Sequence, residues 1–457
     1  MKKERNKNMK RFFAFALVFA MMLSLVACGK APEEPAPATT APAASTGAAE
    51  TPETEAVNPY EHLYTKPTED VTLDVWYAVS GVTAEVFEAQ VNAYMEANPN
   101  IKINLSFAGS YADCADKVSA NLMTNTAPDV ALMSAAPLYN GARGDFTIEG
   151  LIQDPEFNKD DIYEGVWQYA TYDNRICAIP YGVSVPVLFY NKDVVAAAGL
   201  DVEANPPETW EELYEMAKIC QEKGNINNAD EFWGFEVSDA PWLFKSMLNQ
   251  NGCPIIETDG GITPVFNNEE AVEVASFWKK LSDEGVMGVN LHSNAENTFK
   301  AGNCAFIVAS SIRLARWNSL EDLNFGVLSM PTFGEKSVAL GGNHLVTFAQ
   351  DDTKLAAAWD LIKYLTNSEN HTEFSLATGY LPIHKSAADS EAVKTAMNED
   401  PRRQVVFNEM DTAWSYWHFD EMGTMDSCLW TALANLELGT EPQQALDDAV
   451  DELESEM

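Results

Sequence analysis

The chain has 457 residues, 46% of them hydrophobic, with 69 Asp plus Glu against 29 Lys plus Arg and a formal net charge of −40. A surface of that sign repels nucleic acid and anionic lipid headgroups, and it disfavours long-range capture of an anionic solute without forbidding a local site. The length exceeds what one ordinary core supports and suits two lobes.

At the N-terminus, Lys2, Lys3, Arg5, Lys7, Lys10 and Arg11 form a basic head, and residues 12–27 are apolar except for Ser24. That run is too short and too one-sided in its flanks for an ordinary membrane span, and it reads as a signal peptide over residues 1–27. Losing its six basic residues and single acid would deepen the charge from −40 to −45. Leu25-Val26-Ala27-Cys28 resembles the lipobox of bacterial lipoproteins, which implies a lipidated Cys28. Two or more acyl chains hold a protein stably to a bilayer. Residues 31–58 are almost entirely Ala, Pro, Thr, Glu and Gly, too poor in apolar surface to fold. Cys28 and a disordered spacer are therefore assigned to residues 28–68.

Residues 71–77 alternate as a strand, and residues 83–97 follow as an amphipathic helix closed by Asn98-Pro99. Residues 101–107 are a second strand, 112–124 a second helix and 129–133 a third strand. Such alternation implies a parallel sheet covered on both faces. Further strands are expected at 186–190, 305–309 and 325–329, and helices at 269–284, 355–365, 369–378 and 443–453, with one more near Ile312. Thr209-Trp210-Glu211-Glu212 is a capping box opening a helix that Gly224 stops. Ligands in open α/β sheets sit beyond the carboxyl ends of strands, which puts the loops after Tyr77, Phe107, Met133, Ala309 and Ser329 at the candidate site.

Six further cysteines, at 114, 177, 220, 253, 304 and 428, show no Cys-x-x-Cys, and no His lies at ligand spacing, so a metal site is unsupported. Their pairing is not readable from sequence. Nucleophile elbow, phosphate loop, dinucleotide fingerprint and zinc-protease motifs are all missing, and no cofactor is expected. A secreted glycosidase stays open on this ground alone, because paired carboxylates cannot be picked out among so many acids.

Aromatics among polar loops are the positive signal. They are Tyr77 at the end of the first strand, Tyr111 in Gly-Ser-Tyr, Trp242 in Asp-Ala-Pro-Trp, and Trp414 and Trp417 in Trp414-Ser415-Tyr416-Trp417-His418. An aromatic face stacks on the C–H face of a pyranose while neighbouring polar groups bond its hydroxyls, although any single tryptophan is more often core than ligand platform. Ser310 and Ser311 precede a helix and either bind a ligand oxygen or cap it. Gly341-Gly342 suggests close backbone approach or a crossing between lobes, and His344 either lines a cleft or satisfies a loop.

From about Thr72 to Asp447 the chain resembles the family 1 extracellular solute-binding proteins of ABC importers. The residues that carry the likeness include Ala127-Pro128-Asp129-Val130, Tyr190-Asn191-Lys192-Asp193, Pro207-Glu208-Thr209-Trp210 and Thr378-Gly379-Tyr380-Leu381-Pro382. The resemblance implies a two-lobed α/β fold of the type II periplasmic-binding-protein kind. Each lobe would be a mainly parallel sheet flanked by helices, with discontinuous lobes, 69–185 plus 342–399 and 186–341 plus 400–457, joined by a hinge. It also implies a non-enzymatic, monomeric receptor on the extracellular face of a bacterial membrane, served by a separate permease and ATPase. By the same resemblance Tyr111, Ser184, Ser310 or Ser311, Gly341 or Gly342, and Tyr380 touch ligand. Within the family the nearest look is to glycerol-3-phosphate binders. Two departures stand out: Ser134-Ala135-Ala136 replaces their Glu, and Trp414 to His418 stand where they carry an Arg. Without a guanidinium a phosphate loses its best bidentate partner, so a neutral sugar or short oligosaccharide is expected, with glycerol 3-phosphate or its diesters as the alternative.

Overall fold

A computed structural model describes residues 58–134, 148–172, 174–258, 261–416, 418–419 and 421–457. The leader with Cys28, most of the Ala/Pro-rich stretch, and Trp417 lie outside the described residues.

In chain order the principal elements are β1 (Val71–Tyr77), α1 (Val82–Ala97), β2 (Ile101–Phe107), α2 (Tyr111–Leu122), β3 (Val130–Met133), β4 (Ile179–Ser184), β5 (Pro186–Asn191), α3 (Trp210–Lys223), β6 (Trp233–Val237), α4 (Ala240–Gln250) and α5 (Glu269–Asp283). There follow β7 (Cys304–Ser310), β8 (Phe325–Leu328), β9 (Gly341–Thr347), α6 (Asp352–Thr366), α7 (Ser368–Thr378), α8 (Met422–Glu437) and α9 (Pro442–Glu456). The strands form two separate sheets, β2-β1-β3-β9-β4 and β8-β5-β7-β6.

The first sheet starts as the alternation predicts, with β1 parallel to β2, Val71 opposite Ile101, and parallel to β3, Val75 opposite Val130. Both sheets are mainly parallel in strand direction, as expected, with one reversed strand in each. β9 runs antiparallel to β3 and to β4, and in the second sheet β5 runs antiparallel to β7 and β8, leaving β6–β7 parallel. The reversed strands are those that carry the chain between sheets: it leaves β4 at Ser184 and enters β5 at Pro186, and it returns from β8 through Leu340 into β9. A strand that arrives from the other lobe has no crossover helix to turn it parallel.

Every residue of β3, β4 and β5 is buried, as strands covered on both faces require. The helices cap as their sequences dictate. Thr209 accepts from the Glu212 N–H while Glu212 accepts from the Thr209 N–H, a complete capping box, and the Asn268 side chain accepts from Ala271. Residues 58–68, assigned above to the spacer, pack on the body instead. Leu63 is 2% exposed, and the Tyr64 hydroxyl donates to the Gly150 carbonyl at 2.7 Å. Tyr60, Leu63 and Tyr64 bring apolar side chains on one helical turn, enough to dock the segment. The six cysteines after Cys28 are all free thiols, five buried and Cys177 half-buried.

Candidate functional site

Between the two sheets lies a cleft of about 630 Å³. Tyr111, Tyr169, Ser184 and Tyr380 line it from the first-sheet side, and Trp242, Lys245, Ser310, Tyr416, His418 and Asp426 from the second. Tyr111 opens α2, where Ser110 and Asp113 form a reciprocal capping box that fixes how the chain leaves β2. Its hydroxyl accepts from Asn343 Nδ2 at 3.0 Å and stands 3.5 Å from the Tyr380 hydroxyl. Asn343 is fully buried; it also donates to the Tyr380 hydroxyl at 3.3 Å and accepts from the Gly182 N–H at 2.8 Å. One amide thus sets two tyrosines against the cleft.

On the other side, Asp239 caps α4 by accepting from the Trp242 N–H at 3.3 Å, with Pro241 in the first turn, so Trp242 and Lys245 are presented one turn apart. The indole N–H donates to the Ala339 and Leu340 carbonyls at 3.1 and 3.3 Å, which pins the ring to the crossing segment. Gly341 lies beneath that ring. Gly342 is at φ +133°, where a β-carbon would collide with the Gly182 carbonyl, so the close backbone approach expected of this pair is present.

Lys245 is buried, with Nζ 2.6 Å from Asp426 Oδ1 and 4.1 Å from the centre of the Tyr416 ring. Burial works against its charge, but the attraction of Asp426 and Tyr416 outweighs it and raises the ammonium above its ordinary range. His418 packs edge-on between Tyr169 and Tyr416, and burial together with the Lys245 charge pushes it down to about 4. His344, fully buried in β9 with its ring 4.5 Å from Tyr169, is pushed down to about 3 by burial and then by His418. Both imidazoles are neutral at pH 7.

The cleft therefore gathers Tyr111, Ser184, Trp242, Ser310, Gly341, Gly342 and Tyr380 from the residues singled out in the sequence. Three others stand apart. Tyr77 is buried and donates to Glu88; the Ser311 hydroxyl accepts from the Val185 N–H at 3.3 Å, bracing a crossing rather than capping the five-residue helix Arg313–Trp317; Trp414 packs edge-on behind Tyr416. Lys245, Asp426, Asn343 and Tyr169 escaped sequence reading. Asp239-Ala240-Pro241 was the available signal for Lys245, since an acidic cap with Pro in the first turn starts a helix and puts residue 245 beside 242. Among the described residues, no group of acids, histidines or cysteines is arranged to hold a metal.

Two sheets joined by crossing strands, with a cleft of aromatic and polar side chains between them, define a two-lobed binding protein of the type II periplasmic kind. The model of the family described as bacterial extracellular solute-binding protein matches residues 89–401, well over half of the chain, and the protein belongs to that family. Among sequence relatives, the sn-glycerol-3-phosphate-binding periplasmic protein UgpB of Salmonella typhimurium is 25% identical over 415 residues, 83% of this chain and 91% of that protein. Among solved structures, the cyclic alpha-maltosyl-1,6-maltose binding protein from Arthrobacter globiformis superposes with a TM-score of 0.73 at 24% identity, covering 84% of this chain and 98% of that one. UgpB from Mycobacterium tuberculosis in complex with glycerophosphocholine superposes with a TM-score of 0.74 at 21% identity and the same coverage. Among the described residues, no helix is long and apolar enough to cross a membrane.

Proposed function

We propose that the protein is the lipid-anchored receptor of an ABC importer, closing its two lobes around a neutral sugar or short oligosaccharide and handing it unchanged to a separate permease. The observation that carries this reading is the convergence of Trp242 and Tyr416 from one side and Tyr111, Tyr169 and Tyr380 from the other on one cleft of about 630 Å³. The rings that keep some exposure, Tyr111 on one wall and Trp242 and Tyr416 on the other, offer apolar surface to a pyranose, and Ser184, Ser310 and the carboxylates between them offer partners to its hydroxyls. A ligand that touches both walls favours the closed arrangement by its differential contacts with it. Cys28 supplies the anchor and residues 28–57 the tether, with lobes at about 69–185 plus 342–399 and 186–341 plus 400–457.

The glycerol-phosphate reading is supported by the sn-glycerol-3-phosphate-binding relative and by the glycerophosphocholine-bound structure that superposes on this chain. A calorimetric panel of maltotriose, mannotriose, tagatose, glycerol 3-phosphate and glycerophosphocholine separates the two. The sugar reading expects saccharide binding, recovery of the sugar intact, and a smaller radius of gyration on saturation. Binding of the phosphates alone would reject it. Palmitate labelling of the exported protein, lost in Cys28→Ala, tests the anchor.

A further inference from the structure

Among the described residues that line the cleft, Lys245 is the one Lys or Arg. Its side chain is 2% exposed, so its charge reaches a ligand only through the cleft, and in a poorly solvated site an unopposed ammonium would be the strongest attraction there for a phosphate. That attraction is already taken. Asp426, on the first turn and a half of α8, places Oδ1 2.6 Å from Lys245 Nζ while its own side chain stays 44% exposed toward the cleft. The Tyr416 ring covers the same ammonium from another side at 4.1 Å. Asp116 and Asp239 also line the cleft, and both imidazoles near it are uncharged, so the lining as a whole carries excess negative charge.

Resting on the sugar-receptor reading and deepening it, we propose that Asp426 is a specificity-determining residue: its carboxylate occupies the place beside Lys245 that a ligand phosphate would take, and so confines the cleft to uncharged, hydroxyl-bearing ligands. A phosphate entering the native cleft would meet a lysine whose charge Asp426 cancels, and repulsion from the two remaining carboxylates of Asp116 and Asp239. The amide of Asp426→Asn still accepts from Lys245, which supports folding, but it leaves the ammonium charge uncancelled.

The test titrates native protein and Asp426→Asn with sn-glycerol 3-phosphate, inorganic phosphate and maltotriose. The expected result is at least a tenfold rise in phosphate affinity relative to maltotriose affinity in the variant. The double variant Lys245→Met with Asp426→Leu, which removes both charges, should show no such rise and so traces it to the lysine. An unchanged phosphate affinity in folded Asp426→Asn, or native protein that binds glycerol 3-phosphate as tightly as the variant does, overturns the proposal. If Asp426→Asn does not fold, Asp426→Ser reads the same quantity. Native protein that binds no saccharide sinks the receptor reading for these sugars, whereas the phosphate gain in the variant still decides the role of Asp426.

Discussion

Gly341 lies flat against the indole of Trp242: a β-carbon added at 341 would stand 2.9 Å from Cζ2 and 3.1 Å from Cε2 of the ring. The glycine belongs to the strand that returns from the second lobe, and the tryptophan to the first turn of a helix in that lobe, so the contact seats a ligand platform on the crossing itself. Gly341→Ala must push the indole off its bonds to the Ala339 and Leu340 carbonyls. Saccharide affinity is expected to fall about tenfold, equivalent to roughly 1.4 kcal/mol, with the melting temperature little changed. Calorimetry beside Trp242→Ala checks this; an alanine variant that binds like the native protein removes Trp242 from the site.

A buried acid away from the cleft sets a pH dependence. Glu236 in β6 is fully buried and meets no side-chain donor, only backbone groups of Gly288 and Val237. Burial, and to a smaller extent the charge of Glu437, pushes its carboxyl up to about 8 from an ordinary 4.5. Between those two values the folded state holds a proton that the unfolded chain releases, so this residue's contribution to stability falls as pH rises from 4.5 to about 8. Glu236→Gln, which keeps the shape without the charge, is expected to match the native protein near pH 5 and to exceed it at pH 8 by on the order of a few kcal/mol. Urea midpoints at the two pH values measure the gap, and a gap that does not widen with pH contradicts the assignment.

Thr209 offers a control remote from ligand. Its hydroxyl accepts from the Glu212 N–H at 3.2 Å and its own N–H donates to the Glu212 carboxylate at 3.1 Å, closing the first turn of α3. Thr209→Ala is expected to cost about 1 kcal/mol of stability and to leave sugar affinity within error. A loss of affinity would mean that α3 couples to the cleft.

That capping box also marks what the sequence made legible. Strands such as β1 and β2 and helices such as α3 and α5 carried their own period, caps and stops, and appear where the pattern predicts. β9 carries no strand signal of its own because Gly341-Gly342 interrupts any alternation, yet the close backbone approach expected of that pair is what the sheet contains. α8 lacks a side-chain cap, and Gly423, Thr424 and Ser427 on its outer side weaken the local helical preference of its first turns; packing of its apolar face against α9 and α5 supplies what local preference lacks. The site was half visible for a related reason. Aromatic residues in polar surroundings announce themselves, but Lys245 and Asn343 act through partners 181 and 232 positions away, at Asp426 and Tyr111. No local pattern encodes such pairings.

Asn343 has the most to reveal about how the cleft is held open to ligand. Its carbonyl accepts from Gly182 and its amide donates to Tyr111 and Tyr380, so it ties β4, α2 and the segment after α7 at one buried point. Asn343→Leu strands the Gly182 N–H in a dry interior, at about 1–3 kcal/mol, and frees both tyrosine hydroxyls. Stability and affinity should fall together. Tyr111→Phe, by contrast, removes one hydroxyl and leaves Gly182 satisfied, so affinity should fall with stability nearly intact. In the double variant, Tyr111→Phe should weaken binding less than it does alone, because the hydroxyl it removes is no longer positioned. A cycle of the four proteins, titrated with one saccharide, measures that coupling; strictly additive losses would show that the amide braces the sheet without orienting the tyrosines toward ligand.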